Sequence, residues 1–296
     1  VELKQLEYFV QVGQAGSFSR AADELGVGQP ALSRQVRALE VELRQTLLLR
    51  TGRGVILTEP GRQLLKRGRE MLQLAQATRQ ELGALPGEAV GQIVVALPPS
   101  LARRITIPLI EQFRVGMPRA RLAVVEAFST HICEWLNASK VDLGVVYNPE
   151  ARTGLEITPL FEEHICLVGR PDGEARNSVT LAELSRLPLV MPQTGHSFRR
   201  LMEARAALAG VKLRVRWEVS SVPTILEMVK RGHGYAALTG SAVRSNPESE
   251  GFTLSVITDP HIDSTLCMAW SAQRRRDALH LRTATMLAEL ARGVVA

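Results

Sequence analysis

The chain of 296 residues is 45% hydrophobic, enough to bury a full core and long enough for two or three domains. Its net charge of +6 and pI near 9.6 permit an anionic partner without requiring one, and no apolar run approaches the roughly 20 residues of a membrane span. The N-terminus carries no basic and apolar leader pattern, so a cytoplasmic location is expected; Cys133, Cys166 and Cys267, odd in number and set far apart among apolar residues, read as buried free thiols.

Leu6, Phe9, Val10 and Gly13 mark a first helix. Ser17 can cap a second, which begins at Phe18, carries apolar Ala21, Ala22 and Leu25, and closes at Gly26. After the short link Gly26-Val27-Gly28, Leu32, Val36, Leu39 and Leu43 form one apolar helical stripe at spacings of four, three and four. Gln29, Ser33 and Arg37 lie outward with Arg34 beside them, and Pro30 sits in the first turn, where a missing amide hydrogen costs little. Glu40 and Glu42 come later and would repel phosphate, so this helix can meet DNA only with its first turns. Two helices joined so tightly suit a helix-turn-helix. Leu47 to Arg50 and Val55 to Leu57 can pair as a hairpin around Thr51-Gly52-Arg53-Gly54, which puts Arg53 at a tip suited to a flanking minor groove. From Gln29 to Arg69 nine Arg or Lys stand against three glutamates, so this stretch alone matches the net charge of the whole chain.

Thr58 can cap a long helix that tolerates Pro60 in its first turn and stops before Pro86-Gly87. Leu64, Gly68, Met71, Ala75, Thr78, Leu82 and Leu85 follow at alternating steps of four and three, a coiled-coil period. Leu64, Gly68, Met71, Ala75 and Leu82 are therefore the expected dimerisation seam, on an arm about 40 Å long. The alternative is a helix lying on its own domain.

Beyond Gly87 short apolar strands alternate with helices, an α/β pattern. Strands are expected at Gln92 to Leu97, Leu122 to Ala127 and Asp142 to Tyr147, with helices near Leu101 to Val115 and Thr130 to Ala138. A second set follows at Leu189 to Met191, Arg214 to Val219 and Tyr235 to Leu238, with helices near Phe198 to Ala209 and Pro223 to Lys230. Strands near Glu163 to Val168 and Leu266 to Ser271 would carry the chain between the halves, and Leu279 to Leu290 would close it. The expected division is 1–58 for the head, 59–86 for the linking helix and 87–296 for the body, with lobe I at about 87–162 and 267–296 and lobe II at about 163–266. Ligands of open parallel sheets sit beyond the strands' carboxyl ends. That rule nominates Pro99, Ser100, Ser129 and Thr130 on one lobe and Gln193, Thr194, His196, Ser197, Ser221, Val222 and Thr239 on the other. Free amide hydrogens at the helix starts favour an anion, although each hydroxyl can also be a simple helix cap. No metal-ligand spacing, nucleophile elbow or phosphate loop stands in the chain, so neither catalysis nor a metal or cofactor is expected.

Gly16-Ser17-Phe18, Ala21-Ala22, Gln29-Pro30-Ala31-Leu32-Ser33, Leu39-Glu40, Leu48, Arg50 and Leu57-Thr58 through Gly61 together resemble the N-terminal signature of LysR-type transcriptional regulators. Gly28 departs from that pattern where serine is frequent, and Leu48 where phenylalanine is. Ile105 to Leu109 and Val141 to Tyr147 are similar to the nitrogen-assimilation-control branch. The resemblance implies an N-terminal winged helix-turn-helix, a long linker helix and a two-lobed effector domain of periplasmic-binding-protein type. It further implies a homodimer, commonly paired into a homotetramer, that binds double-stranded operator DNA and responds to a small organic effector on the loops named above. Ser17, Gln29, Pro30, Ser33, Arg34, Arg37, Arg50 and Arg53 are the expected DNA-contacting set. Two rival readings stay open at this point: a free-standing solute-binding protein, and an α/β enzyme whose first 85 residues serve only for dimerisation. The basic N-terminal region and the missing leader weigh against the first, and specific binding to genomic fragments would separate the second.

Overall fold

The computed structural model describes residues 1–52, 54–82, 89–150, 153–171, 176–246, 250–272 and 276–294. The chain divides into two compact units, Val1–Gly91 and Gln92–Ala296.

The first unit contains α1 (Leu3–Ala15), α2 (Phe18–Leu25), α3 (Gln29–Leu43), β1 (Leu48–Thr51), β2 (Gly54–Leu57) and α4 (Glu59–Leu82). Gly16 and Gly26 end α1 and α2 at φ 64°, a left-handed conformation that costs glycine nothing. Ser17 takes the cap of α2, accepting from the Arg20 amide at 3.4 Å. Leu32, Val36 and Leu39 are buried against Phe9, Val12 and Ala21, so the stripe read from the sequence is the head's core; each such side chain contributes about 1.5–3 kcal/mol. The hairpin is antiparallel, Leu48 opposite Leu57 and Thr51 opposite Gly54. Thr58 caps α4, its hydroxyl accepting from the Gly61 amide at 3.0 Å and donating to the Thr46 carbonyl at 2.7 Å.

Part of the expected seam on α4 is corrected. A Cβ on Gly68 would lie 2.9 Å from Leu6 Cδ1 and 3.1 Å from Val10 Cγ2, so the smallness of Gly68 lets α1 of the same domain approach. Leu64 also packs on the head's core, with Leu65 and Leu72. Met71 does face outward, 52% exposed, beside Leu74 at 58%, and Ala75 is half-buried. The side chain of Leu82, the helix stop at Pro86-Gly87 and Arg53 at the wing tip lie outside the described residues.

The second unit begins with β3 (Gly91–Leu97), α5 (Pro99–Gly116), β4 (Ala120–Glu126), α6 (Ser129–Asn137) and β5 (Leu143–Tyr147). The long β6 (Leu155–Gly169) then leaves this lobe. β7 (Ser178–Thr180), α7 (Leu181–Arg186), β8 (Leu189–Met191), α8 (Ser197–Leu208), β9 (Val215–Glu218), α9 (Val222–Lys230), β10 (Tyr235–Thr239), α10 (Gly240–Arg244) and β11 (Thr253–Thr258) build the other, and β12 (Asp263–Ser271) returns to α11 (Ala278–Gly293). Strands run in the order β4-β3-β5-β12-β6-β10-β8-β9, with β11 and β7 branching from β6. The first part of β6, through His164, pairs with β12, and Ile165 to Gly169 pair with β10 and β11. The lobes are thus joined by two crossing strands. The return crossing lies at Ile262-Asp263, a few residues before the start expected at Leu266. β7, α7, α10 and β11 have no counterpart among the expected elements.

Candidate functional site

On the head, the first turns of α3 stand clear of the core. Gln29, Pro30, Arg34 and Arg37 are exposed, and Ser33 is half-buried. The wing is tied to this surface through Arg50, whose guanidinium donates to the Ser33 hydroxyl at 2.7 Å and lies 4.8 Å from the centre of the Phe18 ring. Ser33 and Arg50 therefore act as a pair, while the Ser17 hydroxyl is engaged as a cap. The sequence reading also missed the role of Glu40. Its carboxylate accepts from the Leu47 and Leu48 amides at 2.8 and 3.1 Å, anchoring the entry to the hairpin on α3. Glu40→Ala would orphan two donors on buried residues, at about 1–3 kcal/mol. We expect a matching loss in thermal denaturation, with Glu40→Gln, which keeps an acceptor oxygen, recovering most of it.

In the second unit a cavity of about 460 Å3 opens between the lobes. The starts of five helices meet there: Pro98, Phe128, His196, Ser221 and Thr239, which precede α5, α6, α8, α9 and α10, all line it. Of the nominated residues, Pro99, Ser100, Ser129, His196, Ser197, Ser221, Val222 and Thr239 lie in the wall. Thr130, Gln193 and Thr194 do not, which corrects those three assignments. Ser129 is the first residue of α6 and points inward, accepting from the Tyr147 amide at 2.9 Å, and the helical step turns Thr130 away. Gln193 and Thr194 are exposed in the turn before His196.

Two of the five helix starts are already satisfied by side chains. His196 Nδ1 accepts from the Phe198 amide at 3.3 Å, and Thr239 accepts from the Ala242 amide at 3.3 Å. Burial, with Arg200 nearby, lowers the His196 pKa, consistent with a neutral acceptor. Pro98, Phe128 and Ser221 give no side-chain cap, leaving the starts of α5, α6 and α9 open to a ligand. Arg103 and Glu126 are the charged residues of the wall; besides His196 and Asn246 its remainder is hydroxyl-bearing or apolar, including Phe128, Phe198, Val222 and Leu238.

Beneath the wall, buried Glu163 on the crossing strand accepts from the Ser241 amide at 3.0 Å and the Ser241 hydroxyl at 2.6 Å. Burial and this carboxylate push the Tyr147 hydroxyl up to about 12, with the Ser100 and Ser241 hydroxyls acting the other way, so Tyr147 enters the cavity as a neutral donor. The lobes also touch across the opening. The Phe128 and His196 rings meet edge to face at 5.0 Å, and Arg200 pairs with Glu150 at 3.0 Å. All three cysteines are buried free thiols. Burial raises Cys166, and burial with Glu162 and Cys133 raises Cys267 to about 11, the reverse of the thiolate character that oxidant sensing needs.

A helix-turn-helix head and a hinged body with a ligand-sized cleft define a DNA-binding regulator with an effector-binding domain. Residues 3–62 match the family described as bacterial regulatory helix-turn-helix protein, lysR family, and residues 86–292 match the LysR substrate binding domain. The chain belongs to the LysR family of transcriptional regulators. It is 30% identical to the nitrogen assimilation regulatory protein nac of Klebsiella aerogenes over 92% of this chain and 90% of that one, in line with the branch suggested by Ile105 to Leu109 and Val141 to Tyr147. The transcriptional regulator BbuR of Bordetella bronchiseptica is 28% identical over 96% of this chain and 87% of its own. Among solved structures, a full-length OxyR variant from Pseudomonas aeruginosa superposes with a TM-score of 0.78 at 26% identity, covering 99% of this chain and 95% of that one. Regulators of this family bind DNA and form oligomers, and these relatives carry the names of regulators, not enzymes. Among the described residues no helix is long and apolar enough to cross a membrane.

Proposed function

We propose that this regulator reads a double-stranded operator through Gln29, Arg34 and Arg37 on α3, with Ser33 and Arg50 holding the wing strand against the same surface. The observation that carries this reading is the exposure of these residues on the first turns of a helix whose other face is core. Two heads are required for a two-fold operator, and the outer face of α4, with Met71 and Leu74 exposed, supports pairing of two copies there. Ser17 and Pro30 shape the helix starts, and Arg53 is assigned to the DNA-contacting set by its charge alone.

In the body we infer a small effector with one anionic group and an apolar frame. Three helix starts without caps and Arg103 favour the anion. Phe128, Phe198, Val222 and Leu238 favour the frame, and Glu126 with buried Glu163 disfavours a second negative charge. Such a ligand alters DNA binding only as far as it prefers one placement of the lobes over another. Thermal-shift screening of small organic monocarboxylates and dicarboxylates tests this, followed by calorimetry on the double variant Ser100→Ala, Ser221→Ala. We expect monocarboxylate hits, weakened about tenfold or more in the variant, since hydrogen bonds to a charged group contribute about 1.5–3 kcal/mol. Hits binding both forms equally would move the site elsewhere.

A further inference from the structure

The hydroxyls along the floor of the cleft have a fixed direction. Glu163 is buried and accepts from both the amide and the hydroxyl of Ser241, at 3.0 and 2.6 Å. An ionised carboxylate only accepts and a hydroxyl has one proton, so the Ser241 proton is committed to Glu163 and Ser241 Oγ can only accept from its other side-chain partners. Those partners are Thr239, with Oγ1 at 3.2 Å, and the Tyr147 hydroxyl. Each therefore donates to Ser241. Tyr147 has then given its one proton, and the hydrogen bond it shares with Ser100 runs from the Ser100 hydroxyl. Every proton along Ser100, Tyr147 and Ser241 points inward to the buried charge, and the bonds polarise one another in that sense.

Ser100 and Thr239 line the cavity, so with their protons turned inward they offer it lone pairs. A ligand meets acceptors there and has to bring a donor. Glu126 stands at the end of β4, beside the loop that enters α5, because the Ala127 amide donates to the Leu97 carbonyl at 3.1 Å. It lines the same cavity, is exposed, and makes no ion pair among the described residues, Arg103 included. A ligand hydroxyl would answer Ser100 and leave Glu126 uncompensated, whereas an ammonium answers both. The open starts of α6 and α9, with the Ser221 hydroxyl that caps nothing, remain for a carboxylate.

We propose, resting on the monocarboxylate reading above, that the effector is an amino acid with an apolar side chain. Its ammonium sits on Ser100 Oγ and the Glu126 carboxylate, its carboxylate on the starts of α6 and α9, and its side chain on Phe128, Phe198, Val222 and Leu238. Both charges are then compensated as they leave water, which a purely anionic ligand of the same shape would not achieve beside Glu126. The ammonium is held by lobe I alone, while the carboxylate also reaches α9 of lobe II. One small molecule thus favours the placement of the lobes that brings its two ends into contact at once.

The test is calorimetry on the full-length protein with alanine, valine, leucine, methionine and phenylalanine. Each is paired with the carboxylate that lacks only the ammonium, such as isocaproate for leucine and hydrocinnamate for phenylalanine, and with the matching hydroxy acid. At least one amino acid should bind about tenfold or more tightly than its desamino partner, the ratio that one charge-assisted hydrogen bond supplies. Glu126→Gln and Ser100→Ala should each narrow that ratio by weakening the amino acid while leaving the desamino acid unchanged. Thermal melting of both variants without ligand checks that they fold. Desamino acids that bind as tightly as the amino acids, or more tightly, would overturn the ammonium subsite and leave the monocarboxylate reading standing. Hydroxy acids that match the amino acids would overturn it as well, since Ser100 would then act without Glu126. A preference that survives both variants would place the ammonium elsewhere, with Glu126 serving only to balance Arg103. Binding of none of these acids would overturn the monocarboxylate reading and this proposal with it.

Discussion

Gly68→Glu is expected to unfold the N-terminal head, abolishing DNA binding as a consequence. Its Cβ would stand 2.9 Å from Leu6 Cδ1 and 3.1 Å from Val10 Cγ2, and Leu6 is only 1% exposed. Overpacking costs about 1–3 kcal/mol, and a carboxylate forced against these side chains without a partner adds a further penalty. A loss of about 3 kcal/mol or more is a large part of the stability of a small domain. Circular dichroism with thermal melting should report the loss directly. Gly68→Ala should come close to wild type, because the nearest atoms are ends of flexible side chains and the gain in helix propensity, up to about 1 kcal/mol, offsets the crowding. A Gly68→Glu protein that melts like wild type but fails to dimerise would return Gly68 to the intermolecular seam.

Arg34→Ala should lower specific operator affinity about tenfold or more while leaving the melting temperature unchanged. The side chain is exposed on α3, so its loss removes no core contact. A paired contact from arginine to guanine discriminates by roughly 1–3 kcal/mol. Binding to unrelated duplexes should fall much less, since that depends on the summed charge of the head. Titration of a labelled operator with and without competitor DNA distinguishes the two effects. Equal operator affinities would remove Arg34 from the reading surface.

The head was the most legible part of the chain because its signals are local. Ser17, Gly26 and Thr58 mark helix ends by their own chemistry, and the Leu32, Val36, Leu39 stripe fixes which side of α3 is core. Gly68 was misread because a three-and-four repeat says that a helix face is covered, not whether the cover is the chain's own α1 or another copy. Glu40 sits where charge alone predicts only repulsion; its two amide partners become neighbours after the chain has turned into the hairpin. In the body the cleft loops followed from strand-helix alternation, but one helical step separates Ser129 in the wall from Thr130 outside it. β7, α7 and α10 span three, six and five residues, too short to impose a period. Glu163 reads as one acid among Phe161-Glu162-Glu163-His164 and is buried because Ser241, 78 residues further on, closes over it. The bulge that sets Trp217, not Arg216, opposite Val190 arises from pairing with β8, and no local pattern in Arg214 to Glu218 announces it.

The central claim is that α3 chooses the DNA sequence this regulator binds. Selection of duplexes from a random pool with the full-length protein tests it most directly, run in parallel with the variant Gln29→Ala, Ser33→Ala, Arg34→Ala, Arg37→Ala. The account predicts that the wild type converges on a two-fold site, its half-sites separated by about one helical turn or a multiple of it, while the variant folds yet loses or changes that consensus. The same consensus recovered by both proteins, or none by the wild type, would contradict it.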